Sequence, residues 1–172
     1  GFTYSPAIPC EEGITRRDPS PVVFVDGLYH VWYSRNVEGN PSPHDGFTAS
    51  IWHACSTDGF AWKENAEALP RGAHDAFDGG GVYTPTILMA DEKFYLYYTA
   101  MPKAWADARQ TTKGSIGVAT SSSPFGPWER CNADPILTCS DDPLAFDSLR
   151  VDDTCIVVRD GTYWMYFKGR QW

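Results

Sequence analysis

The chain has 172 residues, with 22 acidic and 14 basic side chains and a formal charge of −8. That balance lacks the basic face a nucleic-acid backbone requires, and no apolar run reaches the roughly 18 residues of a membrane-spanning helix. Neither nucleic acid nor membrane is therefore an expected partner. The 7 Trp, 9 Tyr and 9 Phe, with 15 Gly and 13 Pro, fit many short strands joined by tight turns.

Residues 1–17 precede the first recognisable unit and form an N-terminal segment that docks on it or on a second copy of the chain, a candidate homodimer contact. Gly1-Phe2-Thr3 carries no signal peptide. A mature exported protein would look the same, and a periplasmic or secreted location is expected, with the cytoplasm the alternative.

The first unit opens at Asp18-Pro19-Ser20, with strands expected at Val22–Val25, Tyr29–Ser34 and Ile51–Ser56 and a short fourth around Trp62. Asp26-Gly27 between apolar runs is a hairpin signal, and Asp58-Gly59 and Asp160-Gly161 repeat it. A second unit opens at Thr84-Pro85-Thr86 and ends its hairpin in Phe94-Tyr95-Leu96-Tyr97-Tyr98. A third opens at Asp153-Thr154-Cys155 and runs to Tyr163-Trp164-Met165-Tyr166-Phe167. Asp18 to Thr84 is 66 positions, Thr84 to Asp153 is 69, and Ile51 to Ile116 is 65. Segments 36–50, 63–82 and 129–150 read as long loops, and 102–110 as a crossover with at most a turn or two of helix. The five cysteines, Cys10, Cys55, Cys131, Cys139 and Cys155, match no zinc spacing and read as buried free thiols, the alternative being a loop closed by Cys131 and Cys139 with at least one thiol left over.

A period of this length in strand-rich sequence indicates propeller blades, whose repeated positions converge on one axis. The expected fold is all-β, a β-propeller of which this chain carries about two and a half blades: blade I at 18–66, blade II at 83–130 and an incomplete blade III from 152. Asp18 and Asp153 should then share a cleft. Strict alternation along a strand would let only one of Asp152 and Asp153 face it.

Two carboxylates across a cleft suit glycosidic chemistry, one activating water and the other orienting substrate or tuning a proton donor. Arg17 either fixes Asp18 or binds sugar hydroxyls. Thr84 keeps a hydroxyl where the other copies carry a charge. Trp52 either stacks on a sugar or packs between blades. Lys168, with Arg170, meets an acidic sugar or solvent. His53 is a further candidate sugar contact, His30 reads as structural, and His44 and His74 fall in loops. Trp62, Trp128 and Trp164 read as core. No metal-ligand run appears, so no cofactor is expected, although a propeller channel has room for an ion.

The run Arg16-Arg17-Asp18-Pro19-Ser20-Pro21-Val22-Val23, the Gly81-Val82-Tyr83-Thr84-Pro85 opening and Phe146-Asp147-Ser148-Leu149-Arg150-Val151-Asp152-Asp153 resemble glycoside hydrolase family 117. That family lies among the five-bladed propellers related to family 43. The resemblance implies an exo-acting, inverting hydrolase that releases 3,6-anhydro-L-galactose from galactan oligosaccharides. It implies Asp18 as general base and Asp153 as the second acidic residue. The family reads Val-His-Asp-Pro where this chain reads Val151-Asp152-Asp153-Thr154, which makes Asp152 a rival for that role. The proton donor is expected from a later blade, a His in family 117 or a Glu in family 43. Residues 1–172 alone are therefore expected to be weakly active or inactive. A family 43-like arabinosidase or xylosidase is the alternative enzyme, and a non-catalytic carbohydrate-binding propeller the alternative of another class.

Overall fold

The computed structural model describes residues 1, 3, 5–37, 48–103 and 112–171. His44 and most of the 102–110 crossover lie outside them. The named elements are all strands, gathered into three antiparallel sheets.

In the first sheet, β1 (Ile14–Arg17) and β2 (Val23–Val25) both pair with β3 (Leu28–Val37), one along each half of it. They are a single inner strand interrupted around Asp18-Pro19, where Pro supplies no ladder N–H. β4 (Ser50–Ser56) and β5 (Lys63–Leu69) complete the sheet. The second sheet runs β6 (Gly81–Ala90), β7 (Lys93–Met101), β8 (Ser115–Ser121) and β9 (Glu129–Arg130). The third is the hairpin of β10 (Arg150–Arg159) and β11 (Thr162–Arg170).

Several elements differ from expectation. Ile14–Arg17 belongs to the first sheet rather than to a separate segment. Lys63–Leu69 is a seven-residue strand, not loop. Its polar Lys-Glu-Asn-Ala-Glu-Ala lacks the β-branched signature, because an edge strand with one solvated face does not need it. Trp62 and Trp128 do pack against core clusters, but Trp164 is 54% exposed on the third sheet. The described cysteines are free, yet only Cys139 is buried. Cys131 Sγ faces Thr120 and Cys139 Sγ faces the Gly114 carbonyl, so the pair does not close a loop.

The main core lies between the first two sheets. Trp32, Ile51 and Leu69 meet Val82, Leu96, Tyr98 and Ala119, all sealed from solvent. Each large side chain buried this way contributes about 1.5–3 kcal/mol. The N-terminal segment covers the opposite face of the first sheet, where Trp62 N–H donates to the Ala7 carbonyl and Ile8 packs beside Val31 and Tyr33. A polar lock adjoins the core, with Asp78 and Tyr98 buried and Arg130 partly exposed. Asp78 accepts from Arg130 Nε at 2.6 Å and from the Tyr98 hydroxyl at 3.1 Å. Burial, with the adjacent Asp78 charge, pushes the Tyr98 phenol well above its ordinary value. Phe77 stacks on Tyr98, as Phe146 stacks on Phe167 one unit later. Ala76-Phe77-Asp78 and Ala145-Phe146-Asp147 stand 69 positions apart, the same step as Thr84 to Asp153.

His30 and His53 are buried against each other, His30 Nδ1 lying 3.0 Å from His53 Nε2, with Phe125 edge-on to both rings and Trp32 stacked beside them. His53 is thus a core residue. Asn65 Nδ2 approaches His53 Nδ1 at 3.3 Å, and the Val25 carbonyl also meets the His30 ring. Assigning protons from this network, every polar atom is satisfied with both rings neutral. An added proton sets two N–H donors face to face.

Burial, then the neighbouring His30, lowers the His53 pKa to about 4. Burial lowers that of His30 against the help of Val25 and Asp26. A folded pKa below the unfolded 6.5 means that stability is full above pH 6.5 and is lost as pH falls toward the folded pKa. We expect about 3 kcal/mol to disappear between about pH 6.5 and pH 4 through His53. Thermal unfolding across that window measures it. A midpoint that does not move would show that the pair is protonated at no cost.

Candidate active site

Three backbone positions build the site. Asp18, Thr84 and Asp153, the residues that open the three repeats, all adopt left-handed conformations, with φ of 53°, 45° and 52°. Asp tolerates this region, whereas a β-branched Thr there is a genuine outlier. Such residues persist only where the surroundings hold them, and the sheets supply the hold. Thr84 N–H donates to Ser34 Oγ of the first sheet at 3.0 Å. Asp153 N–H donates to Thr99 Oγ1 of the second at 3.2 Å. Thr99 also shares a 2.6 Å hydrogen bond with Thr84 Oγ1. In the first two sheets a hydroxyl on β3 or β7 therefore fastens the special residue of the next sheet.

Ser34 and Thr99 lie 65 positions apart, and 69 further on the same place is Lys168. A lysine ammonium cannot accept a backbone N–H. It turns instead to its own sheet, ion-paired to Asp153 Oδ2 and 3.2 Å from Asp152 Oδ1. Burial disfavours the Lys168 ammonium, but its hydrogen bonds to Asp153 and Asp152 outweigh that, and its pKa is raised.

Asp18, Thr84, Asp153 and Lys168 line one cleft of about 270 Å³, together with Arg17 and Asp152. The Arg17 guanidinium holds Asp18 at 2.7 Å. Ahead of it, Arg16 Nε binds Glu64 of β5 at 2.8 Å, and the Tyr33 hydroxyl meets the same carboxylate at 2.6 Å. That network anchors β1, the strand that presents Asp18.

Both Asp152 and Asp153 reach the cleft, contrary to the alternation argument. The β10–β11 register shifts between Asp152 and Cys155, and a bulge of this kind re-aims consecutive side chains. The two differ in environment. The Asp152 side chain is 8% exposed and that of Asp153 42%. Burial first, then repulsion from Asp153, raises the Asp152 pKa, with Lys168 and Arg150 opposing.

Trp52 stands apart from this cleft. It pairs in register with Tyr33, on the face of the first sheet that carries Glu64 and Arg16. Arg35 Cζ lies 4.0 Å over its ring, and its indole N–H donates to Ser50 Oγ at 3.1 Å. Four cleft residues, Tyr83, Thr99, Met101 and Arg150, were given no role by the sequence reading. The spacing of Thr99 from Ser34 was the available signal. Among the described residues no cluster of three or more His, Cys, Asp or Glu has the geometry to hold a metal ion.

Known proteins are similar to this chain in fold and sequence. Zg3597, a family 117 glycoside hydrolase produced by the marine bacterium Zobellia galactanivorans, superposes with a TM-score of 0.82 at 28% identity, over 98% of this chain and 51% of that one. A family 43 β-xylosidase/α-arabinofuranosidase from a compost microbial metagenome superposes at 0.69 and 24% identity, over 96% of this chain and 45% of its own. An arabinoxylan arabinofuranohydrolase of Bacillus subtilis is 27% identical over 125 residues, 66% of this chain and 22% of that protein. The chain thus spans about a fifth of that curated relative and about half of the solved structures. Its three sheets are blades of a β-propeller. The family model of glycosyl hydrolases family 43 matches residues 14–172, nearly the whole of the repeat that sets the two carboxylates in one cleft, and the chain belongs to that family.

Proposed function

We propose that the protein is an exo-acting, inverting glycoside hydrolase acting on galactan-derived oligosaccharides and releasing 3,6-anhydro-L-galactose. The observation that carries the hydrolase reading is the cleft itself, in which Asp18 and Asp153 arrive from different sheets on matching left-handed bulges. Asp18, oriented by Arg17, accepts a proton from the attacking water as its oxygen bonds to the anomeric carbon. Asp153, held by Lys168, orients the sugar. The leaving oxygen takes its proton from an acid that the family resemblance assigns to a later blade. A cleft just under the roughly 300–1,000 Å³ usual for ligand pockets suits a single terminal sugar ring, which supports exo action. The galactan assignment rests on the likeness to the family 117 enzyme. An extracellular or periplasmic site of action belongs to the same reading.

The similarity to the arabinofuranohydrolase favours a second reading, an arabinosidase or xylosidase. Assay of the full-length protein on neoagarobiose, aryl arabinosides and aryl xylosides separates the two. Release of anhydrogalactose supports the first, and cleavage of the pentosides alone replaces it with the second. Binding without turnover of any would leave a carbohydrate-binding module.

A further inference from the structure

Arg150 opens β10, Arg170 closes β11, and the two face each other in register. Directly opposed residues on one face of a sheet are close neighbours, and like charges there are destabilising. Both line the cleft of Asp18 and Asp153. Arg150 is 7% exposed, and its stem runs against Gly114, where a Cβ would come within 2.6 Å of Arg150 Cγ. Only glycine leaves it that path. Its guanidinium stands 4.0 Å from Asp152, a carboxylate it shares with Lys168. Arg170 is exposed, and among the described residues its side chain joins no ion pair. With Arg17 and Lys168, four cations gather in this cleft beside three carboxylates, in a chain whose overall charge is −8.

Resting on the glycosidase reading, we propose that Arg150 and Arg170 form a fork for an anionic group on the oligosaccharide, a uronate carboxylate or a sulfate ester. Guanidinium donors match the oxygens of such groups geometrically, and an anion between the two relieves their mutual repulsion. The pair thereby selects a charged sugar in the cleft that holds the candidate catalytic carboxylates.

The test uses the full-length protein and three matched oligosaccharides: neutral, uronate-containing and sulfated. Calorimetry gives affinity, and reducing-sugar release gives turnover. At least one acidic ligand is expected to bind about tenfold more tightly than the neutral one, with a preference that weakens as salt is added. The responding ligand tells carboxylate from sulfate. Arg170→Gln should cancel the preference, and Arg170→Lys should keep part of it. Equal binding of all three, or a preference that survives Arg170→Gln, overturns the fork. Acidic binding that depends on Arg170 but comes without cleavage keeps the fork and removes the hydrolase. Cleavage of the sugars with no acidic preference does the reverse.

Discussion

Asp18→Asn in the full-length protein is expected to lower kcat by about 10²- to 10⁴-fold, the usual contribution of a positioned base, while leaving the fold almost as stable as before. The two effects separate because of where Asp18 sits. Among the described residues its side chain pairs with Arg17 alone, at 2.7 Å and with both groups substantially exposed, and such pairs are worth roughly 0–1 kcal/mol. The amide keeps the shape of the carboxylate but cannot take the proton of the attacking water. Asp18→Gly is the companion variant. Glycine adopts φ near 53° without strain, so this variant should fold well and still be inactive. Parallel measurement of turnover and melting temperature decides the matter. An Asp18→Asn enzyme that turns over at the wild-type rate would place the base elsewhere.

Asp78→Ala is expected to destabilise the protein by about 3–5 kcal/mol, the cost of breaking a buried ion pair by removing one partner. Asp78 is fully buried and meets both Arg130 on β9 and Tyr98 on β7. Without it the Tyr98 hydroxyl faces a void, and among the described residues the Arg130 guanidinium keeps the Pro70 carbonyl alone. Asp78→Asn retains an acceptor for both and should cost markedly less. Urea unfolding of the three proteins measures this order. A loss under about 1 kcal/mol for Asp78→Ala would mean that water replaces the carboxylate, and that the lock contributes little.

The repeat was legible because equivalent places in successive blades need equivalent backbone. A left-handed position recurs at Asp18, Thr84 and Asp153, fastened by the preceding blade at Thr84 and Asp153, and the spacing of these residues survives in the chain even where their chemistry does not. The same logic exposes Ser34, Thr99 and Lys168, a series that hydroxyl and ammonium side chains disguise. Trp52 illustrates the opposite case. An aromatic residue in a strand has two faces to choose from, and the choice depends on which neighbour offers a partner. Here Arg35 and the Tyr33 face hold it.

From its residues alone this chain was committed to strand-rich repeats of about 65–69 positions, to a propeller, and to a pair of acidic residues at matching points, since periodicity and turn chemistry are local properties carried by each segment. Only the tertiary structure decided that Asp152 and Asp153 both enter the cleft, that Lys168 clamps them, and that Arg150 and Arg170 stand opposed beside them. A register shift and a cross-strand pairing are relations between segments, and no single segment encodes them.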